Sequence, residues 1–142
     1  MLLTSLKEQL IKHEGIRLKA YRDSVGILTI GVGRNLEAVG ITAEEAMAML
    51  DHDIARTIED LQAQFLWYPS MDGIRQMVLI NMAFNLGLGG LCKFKKFLAH
   101  VQAGSYAEAA AEMLDSAWAV QVGKRAQELA IQMQTGELAD GQ

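Results

Sequence analysis

The segment LIKHEGIRLKAYRDSVGILTIGVGRN, residues 10–35, decides how the chain reads. Up to His13 the apolar residues recur at helical spacing, with Leu3, Leu6, Leu10 and Ile11 on one face. Gly15 is a natural residue to end that helix, because it enters positive φ without a Cβ penalty. From residue 17 the pattern changes to short alternating stretches. Residues 23–26, DSVG, read as a turn between strands, and ILTIGVG reads as strand with glycine relief. Two carboxyls and one hydroxyl fall in this segment: Glu14, then Asp23 nine positions on, then Thr29 six further.

Outward from it, the remaining chain is helical. Thr42 and Glu45 have capping-box spacing and open a helix to about Gln64, with an apolar ridge of Ala46, Leu50, Ile54, Ile58 and Leu61. Ser5 and Glu8 have the same spacing in the first helix, and Ser105 and Glu108 near residue 105. Residues 71–86 are apolar on nearly every face, which predicts a helix buried at the centre of a helical lobe and stopped by GLGG at 87–90. Further helices are expected around Phe94–Val101, after Ser105, and over about 116–122 and 124–134. The expected fold is α+β, mainly α, and single-domain over 1–142. It has a small sheet-containing lobe at about 14–42, a connecting helix at about 43–64, and a helical lobe at about 70–136 on which the first helix packs. A cleft between the lobes would be lined on one side by the strand segment.

Composition narrows the function. The 142 residues are 51% hydrophobic, enough for a real core. No apolar run approaches the roughly 20 residues needed to cross a bilayer, so stable membrane insertion is not expected. The start of the chain carries Lys7 and Glu8 and lacks a secretory cleavage signature. Cys92 is the one cysteine, so no internal disulfide forms; its neighbours Leu91 and Phe94 mark it as a buried thiol rather than a nucleophile. The net charge is −4 but uneven. Residues 12–34 carry five basic residues against Glu14 and Asp23, whereas residues 37–72 carry eight acids against Arg56. A basic rim around the two acids would attract an anionic substrate. There is no long basic stripe and little aromatic interleaving, so nucleic acid is not the expected partner. His13-Glu14 and Asp51-His52-Asp53 match no metal motif, and GVGRNL lacks the third glycine of a dinucleotide loop, so neither metal nor cofactor is expected.

The chemistry concentrates in the opening segment. Glu14 lies at a helix C-terminus, where orphan carbonyls disfavour an ionised carboxylate, and a carboxyl that keeps its proton is what a general acid requires. Asp23 lies in a turn, where backbone N–H groups can hydrogen-bond its ionised form. Thr29 adds a neutral hydroxyl that can hold a water. Acid, base and held water are the components of glycoside hydrolysis. Each residue alone is ordinary in its place, but EGxRLxAYxDxxGxxTIGxG joins about a dozen positions into one pattern.

In that pattern the chain resembles the phage-type lysozymes or endolysins, glycoside hydrolase family 24. The matching residues are Glu14, Gly15, Leu18, Tyr21, Asp23, Gly26, Thr29, Ile30, Gly31 and Gly33. GITAEEAMAMLDHDI at 40–54 is similar to the family's interlobe helix, LINMAFNLG at 79–87 to its central helix, and SAWAVQVGKRAQELAIQMQTG at 116–136 to its C-terminal signature. The resemblance implies a muramidase that cleaves the β-1,4 bond between N-acetylmuramic acid and N-acetylglucosamine in peptidoglycan, with inversion. It implies Glu14 as the acid, with Asp23 and Thr29 placing or activating water. Arg125 would pair with Glu14, Phe84 and Asn85 would lie along the sugar-binding cleft, and Trp118 and Gln121 near its rear wall. Arg34 stands where many relatives have His, so an Arg34–Asp53 pair is expected in its place. The segment 35–40 is shorter than in the longest relatives, and the acidic net charge is unusual for an enzyme that approaches an anionic wall. Peptidoglycan glycan strands are the expected partner, reached by a monomer held in the host cytoplasm until a holin-type pore releases it. The competing class is a non-catalytic peptidoglycan or glycan binder on the same fold; it would lose a carboxylate or Thr29, and this chain keeps all three.

Overall fold

The computed structural model describes residues 2–139. The chain forms two compact units that divide between Leu50 and Asp51, inside one long helix.

The first unit begins with α1, Leu3–Glu14. Its Ser5–Glu8 spacing goes unused. The helix starts at Leu3 with Leu2 at the cap, so Ser5 already lies inside it and no side chain caps the end. Gly15 stops α1 at φ 76°, donating its N–H to Ile11 O at 2.8 Å. Three short antiparallel strands follow in the order β1 (Arg17–Arg22), β2 (Leu28–Gly31), β3 (Arg34–Asn35). Tyr21 opposes Thr29 and Arg22 opposes Leu28, with an irregularity between Arg17 and Tyr21. Thr29 opposes Asn35 and Ile30 opposes Arg34. The connecting helix α2 then covers Ala43–Gln64, as its capping box predicts. Thr42 Oγ1 accepts from Glu45 N at 3.1 Å, and Glu45 Oε1 accepts from Thr42 N at 2.9 Å, so two orphan N–H groups of the helix end are satisfied reciprocally.

In the second unit, the last turns of α2 lead to one 3₁₀ turn at Tyr68–Ser70. Then come α3 (Gly73–Cys92), α4 (Lys95–Ala103), α5 (Tyr106–Leu114), α6 (Ala117–Val122) and α7 (Lys124–Thr135). Asp72 caps α3 by accepting from Arg75 N at 3.2 Å. The GLGG run was expected to end this helix. Instead only Gly87 leaves helical geometry, at φ 73° and ψ 163°, and the helix resumes to Cys92. One residue at positive φ suffices to redirect the axis, after which the next two glycines return to helix. Ser105 stands at the cap of α5 but makes no side-chain bond there.

The hydrophobic core belongs to this unit. Val78, Leu79 and Met82 of α3 are fully buried with Leu61, Leu91, Phe97, Met113 and Met133. Ala109 and Ala110 of α5 and Ala126 and Ala130 of α7 are also buried, and such small side chains let the two packed helices approach closely. Three of the buried residues are methionines, Met82, Met113 and Met133, whereas Met77 is exposed. A polar strap closes the far end of α7. Arg75 donates from Nε to Met133 O at 2.7 Å and from Nη2 to Gln134 O at 3.0 Å, while its guanidinium lies 3.7 Å from the Tyr106 ring centroid. Carbonyls that α7 leaves without helical partners are thus taken by a cation suited to a helix C-terminus. Among the described residues no single helix is long and apolar enough to cross a membrane. The expected α+β organisation, a small antiparallel sheet followed by a bundle of helices, is what the chain adopts.

Candidate active site

Glu14, Asp23 and Thr29 all lie in the first unit, on α1, the β1–β2 turn and β2. Glu14 is the last residue of α1, and the glycine after it turns the chain into β1. Its carboxyl lies against the Gly33 turn between β2 and β3.

Asp23 closes the β1–β2 turn with a single oxygen. Oδ1 accepts from Val25 N at 3.0 Å and from Ile27 N at 2.9 Å. The backbone completes the closure, with Asp23 N donating to Ile27 O at 2.9 Å and Gly26 N to Asp23 O at 2.9 Å. Gly26 sits at φ 87°, which the tight turn requires. Two N–H donors on one oxygen fix the carboxylate's orientation and leave Oδ2 as its outward acceptor. Arg22, which the sequence places beside Asp23, is occupied elsewhere: Nη1 donates to Gly26 O at 3.0 Å and lies 3.8 Å from Glu37.

Thr29 is buried, and its hydroxyl donates to Ile27 O at 2.8 Å. Its proton is therefore committed, and its remaining lone pairs can only accept, as from a water's O–H. Thr29 opposes Tyr21 across the ladder, and Asp23 lies just beyond the end of β1, where its side chain folds back onto the turn. Both side chains are tied to Ile27, Asp23 to its N–H and Thr29 to its carbonyl.

Arg34 finds its carboxylate at Glu45 rather than at Asp53. Nη1 lies 2.6 Å from Glu45 Oε1 and 3.4 Å from Gly40 O. Asp53 is held instead by Arg56, one helical turn on, at 2.8 Å. Glu45 is the nearer partner because the short 35–40 segment, closed by Asn35 Oδ1 accepting from Ala38 N, brings β3 to the start of α2. The same Glu45 oxygen thus serves the helix cap and the ion pair. With Arg22 near Glu37 and Arg34 on Glu45, the basic rim is partly neutralised.

The other expected residues lie in the second unit. Trp118 is buried and packs edge-on to Phe94, so it is a core residue and not a flat sugar platform. Its Nε1 donates to Asn85 Oδ1 at 2.7 Å. That bond fixes the Asn85 amide and leaves its NH₂ as the group Asn85 presents outward. Arg125 forms a fork on Asn81, with Nε and Nη2 donating to Oδ1 at 2.9 and 2.7 Å and Nη2 to the Asn81 carbonyl at 3.2 Å. Asn81 is a site neighbour that sequence reasoning passed over. The signal was available, since Asn81 and Asn85 are polar one turn apart on a helix whose other polar side chains, Arg75 and Gln76, lie in its first turn. Exposed Phe84 and Gly87 line a pocket of about 270 Å³ with Asp53, Arg56 and Asp60. Gln121 is exposed on α6.

A three-stranded antiparallel sheet behind a helix-end glutamate, followed by a bundle around one apolar helix, is the architecture of the lysozyme-like α+β proteins. The sequence model described as phage lysozyme matches residues 11–134. The chain is 30% identical over 166 aligned positions to probable T4-type lysozyme 1 of Dictyostelium discoideum, covering 96% of this chain and 98% of that protein. It is 32% identical to the pre-baseplate central spike protein Gp5 of Enterobacteria phage T4, over 94% of this chain but 28% of that one. It is 36% identical to the endolysin of Salmonella phage P22 over 56% of this chain and 58% of the endolysin. The chain belongs to the phage lysozyme family, a family of glycosidases acting on peptidoglycan-like substrates. The 166 aligned positions exceed its 142 residues, so the Dictyostelium protein carries insertions that this chain lacks.

The Arg34–Glu45 clasp gives a pH prediction. The hydrogen bond from Arg34, followed by that from Thr42 N, lowers the Glu45 carboxyl from 4.5 to about 2. A carboxyl depressed on folding contributes stability that is complete above about 4.5 and is lost as pH falls through about 2. Glu45 should titrate with a midpoint near 2 by NMR, and Glu45→Gln should remove that part of the acid sensitivity. A midpoint near 4.5 would show that the clasp does not hold in solution.

Proposed function

We propose that this chain is a muramidase that hydrolyses the β-1,4 bond between N-acetylmuramic acid and N-acetylglucosamine. Glu14 protonates the leaving oxygen. The outward Oδ2 of Asp23 takes a proton from the attacking water, and Thr29 orients that water by accepting one of its hydrogens. The observation that carries this reading is the division of labour at Asp23. One oxygen is tied down by Val25 and Ile27 N–H, so the other is held in a fixed direction by the fold. The shared attachment of Asp23 and Thr29 to Ile27 supports a water held by both side chains rather than direct attack by Asp23 on the sugar. We therefore infer inversion, in which the carboxyls stand far enough apart, about 6.5–9.5 Å, to admit a water. In this reading Phe84 and the Asn85 amide contact the sugars, while Trp118 and Asn81 act through Asn85 and Arg125.

The likeness to endolysins supports action from the host cytoplasm through a holin-type pore. The likeness to a spike protein supports delivery as part of a larger assembly. The shared chemistry is the same in both.

Purified cell walls test the reading. Glu14→Gln keeps the shape but removes the proton donor, and should lower the rate of reducing-end release by about 10² or more with the fold intact. Proton NMR of the first wild-type product, read before mutarotation, should show the α-anomer. Wild-type rates in Glu14→Gln would remove the acid from the account, and an initial β-anomer would remove the activated water. If the endolysin route holds, cytoplasmic expression in a Gram-negative host should cause lysis only after the inner membrane is permeabilised; prompt lysis without it would contradict that route.

A further inference from the structure

The β2–β3 turn carries two glycines in left-handed backbone, Gly31 at φ 67° and Gly33 at φ 66°. Their conformational demand is the same, but their surroundings are not. A Cβ on Gly31 would meet nothing within 4 Å. A Cβ on Gly33 would stand 2.7 Å from Glu14 Oε2, 3.0 Å from its Cδ and 3.2 Å from its Cγ. The end of the Glu14 side chain therefore rests on the bare α-carbon of Gly33. The contacted atoms are the far end of a flexible chain, so a side chain at 33 would be accommodated by turning the Glu14 carboxyl aside. Moving it costs the fold a rotamer change, whereas a misplacement of about 1 Å at a reacting group can cost about 10² in rate.

We propose that Gly33 is a positioning residue for Glu14, its missing side chain forming the seat that holds the carboxyl in its working direction. The proposal rests on the reading of Glu14 as the general acid. It gives the second glycine of the TIGxG run a reason beyond its turn. Turn geometry alone would require both glycines equally, but only one of them bears on the acid.

The matched pair Gly33→Ala and Gly31→Ala separates seat from strain. Both substitutions place an L-residue at positive φ, and both should lower Tm by similar amounts. On solubilised glycan strands, Gly33→Ala should lower kcat by about 10²-fold with KM changed by less than about twofold. Gly31→Ala should hold kcat within about threefold of wild type. In the Glu14→Gln background Gly33→Ala should remove less than about twofold more, because the group it displaces no longer donates a proton. If Gly33→Ala fails to fold, Gly33→Asn, which tolerates left-handed backbone, carries the same Cβ and the same expectation. Equal kcat losses in the two alanine variants, or a Gly33 loss undiminished in the Glu14→Gln background, would overturn the proposal. Wild-type activity in Glu14→Gln itself would instead overturn the assignment of Glu14, a distinct outcome.

Discussion

Asp23 Oδ1 receives two backbone N–H groups, and the small sheet depends on that arrangement. The sheet has three strands, the last only two residues long, and a sheet that small has little ladder to hold it. Its first turn is closed by a side chain instead. Because the closing group is a carboxylate, the proposed chemistry draws on the residue that closes the turn. One oxygen determines where Ile27 and then Thr29 run, and the other faces outward. The Thr29 hydroxyl returns to Ile27 O, the carbonyl that also receives Asp23 N–H, so both polar side chains are tied to the residue that precedes β2.

One other constraint builds on that hairpin. Arg34 and Glu45 join the end of the sheet to the first turn of α2, with Glu45 serving as helix cap and ion-pair partner together. In the second unit the polar side chains on α3 are likewise held from other helices, Asn85 by Trp118 and Asn81 by Arg125. Apolar packing of α3 supplies stability, and the hydrogen bonds supply direction.

Much of this was legible in the sequence. Hydrophobic period and capping chemistry placed α2 at its observed ends, and a glycine after a helical run placed the end of α1. Local rules succeeded there because the partners lie within four residues. They failed at two helix caps and wherever the partner is distant. Ser5 and Ser105 have capping spacing but no cap bond, since spacing does not fix the backbone angles a cap needs. Asp53 looked like the partner of Arg34, but the short 35–40 segment puts Glu45 within reach first. Trp118 was expected near the rear wall of the cleft, and only three-dimensional packing shows its ring buried and its Nε1 spent on Asn85. Gly33 was visible only as a motif position, because what it touches lies 19 residues earlier on another element.

The central claim is that Asp23 serves the fold with one oxygen and the reaction with the other. Asp23→Asn tests it most directly. An amide oxygen can still accept from Val25 and Ile27 N–H, so the account predicts unchanged amide chemical shifts for those two residues and a nearly unchanged Tm. The amide nitrogen that replaces Oδ2 cannot take a proton from water, so hydrolysis of purified walls should fall by about 10² or more. An Asp23→Asn protein with the hairpin intact and hydrolysis at the wild-type rate would contradict the account.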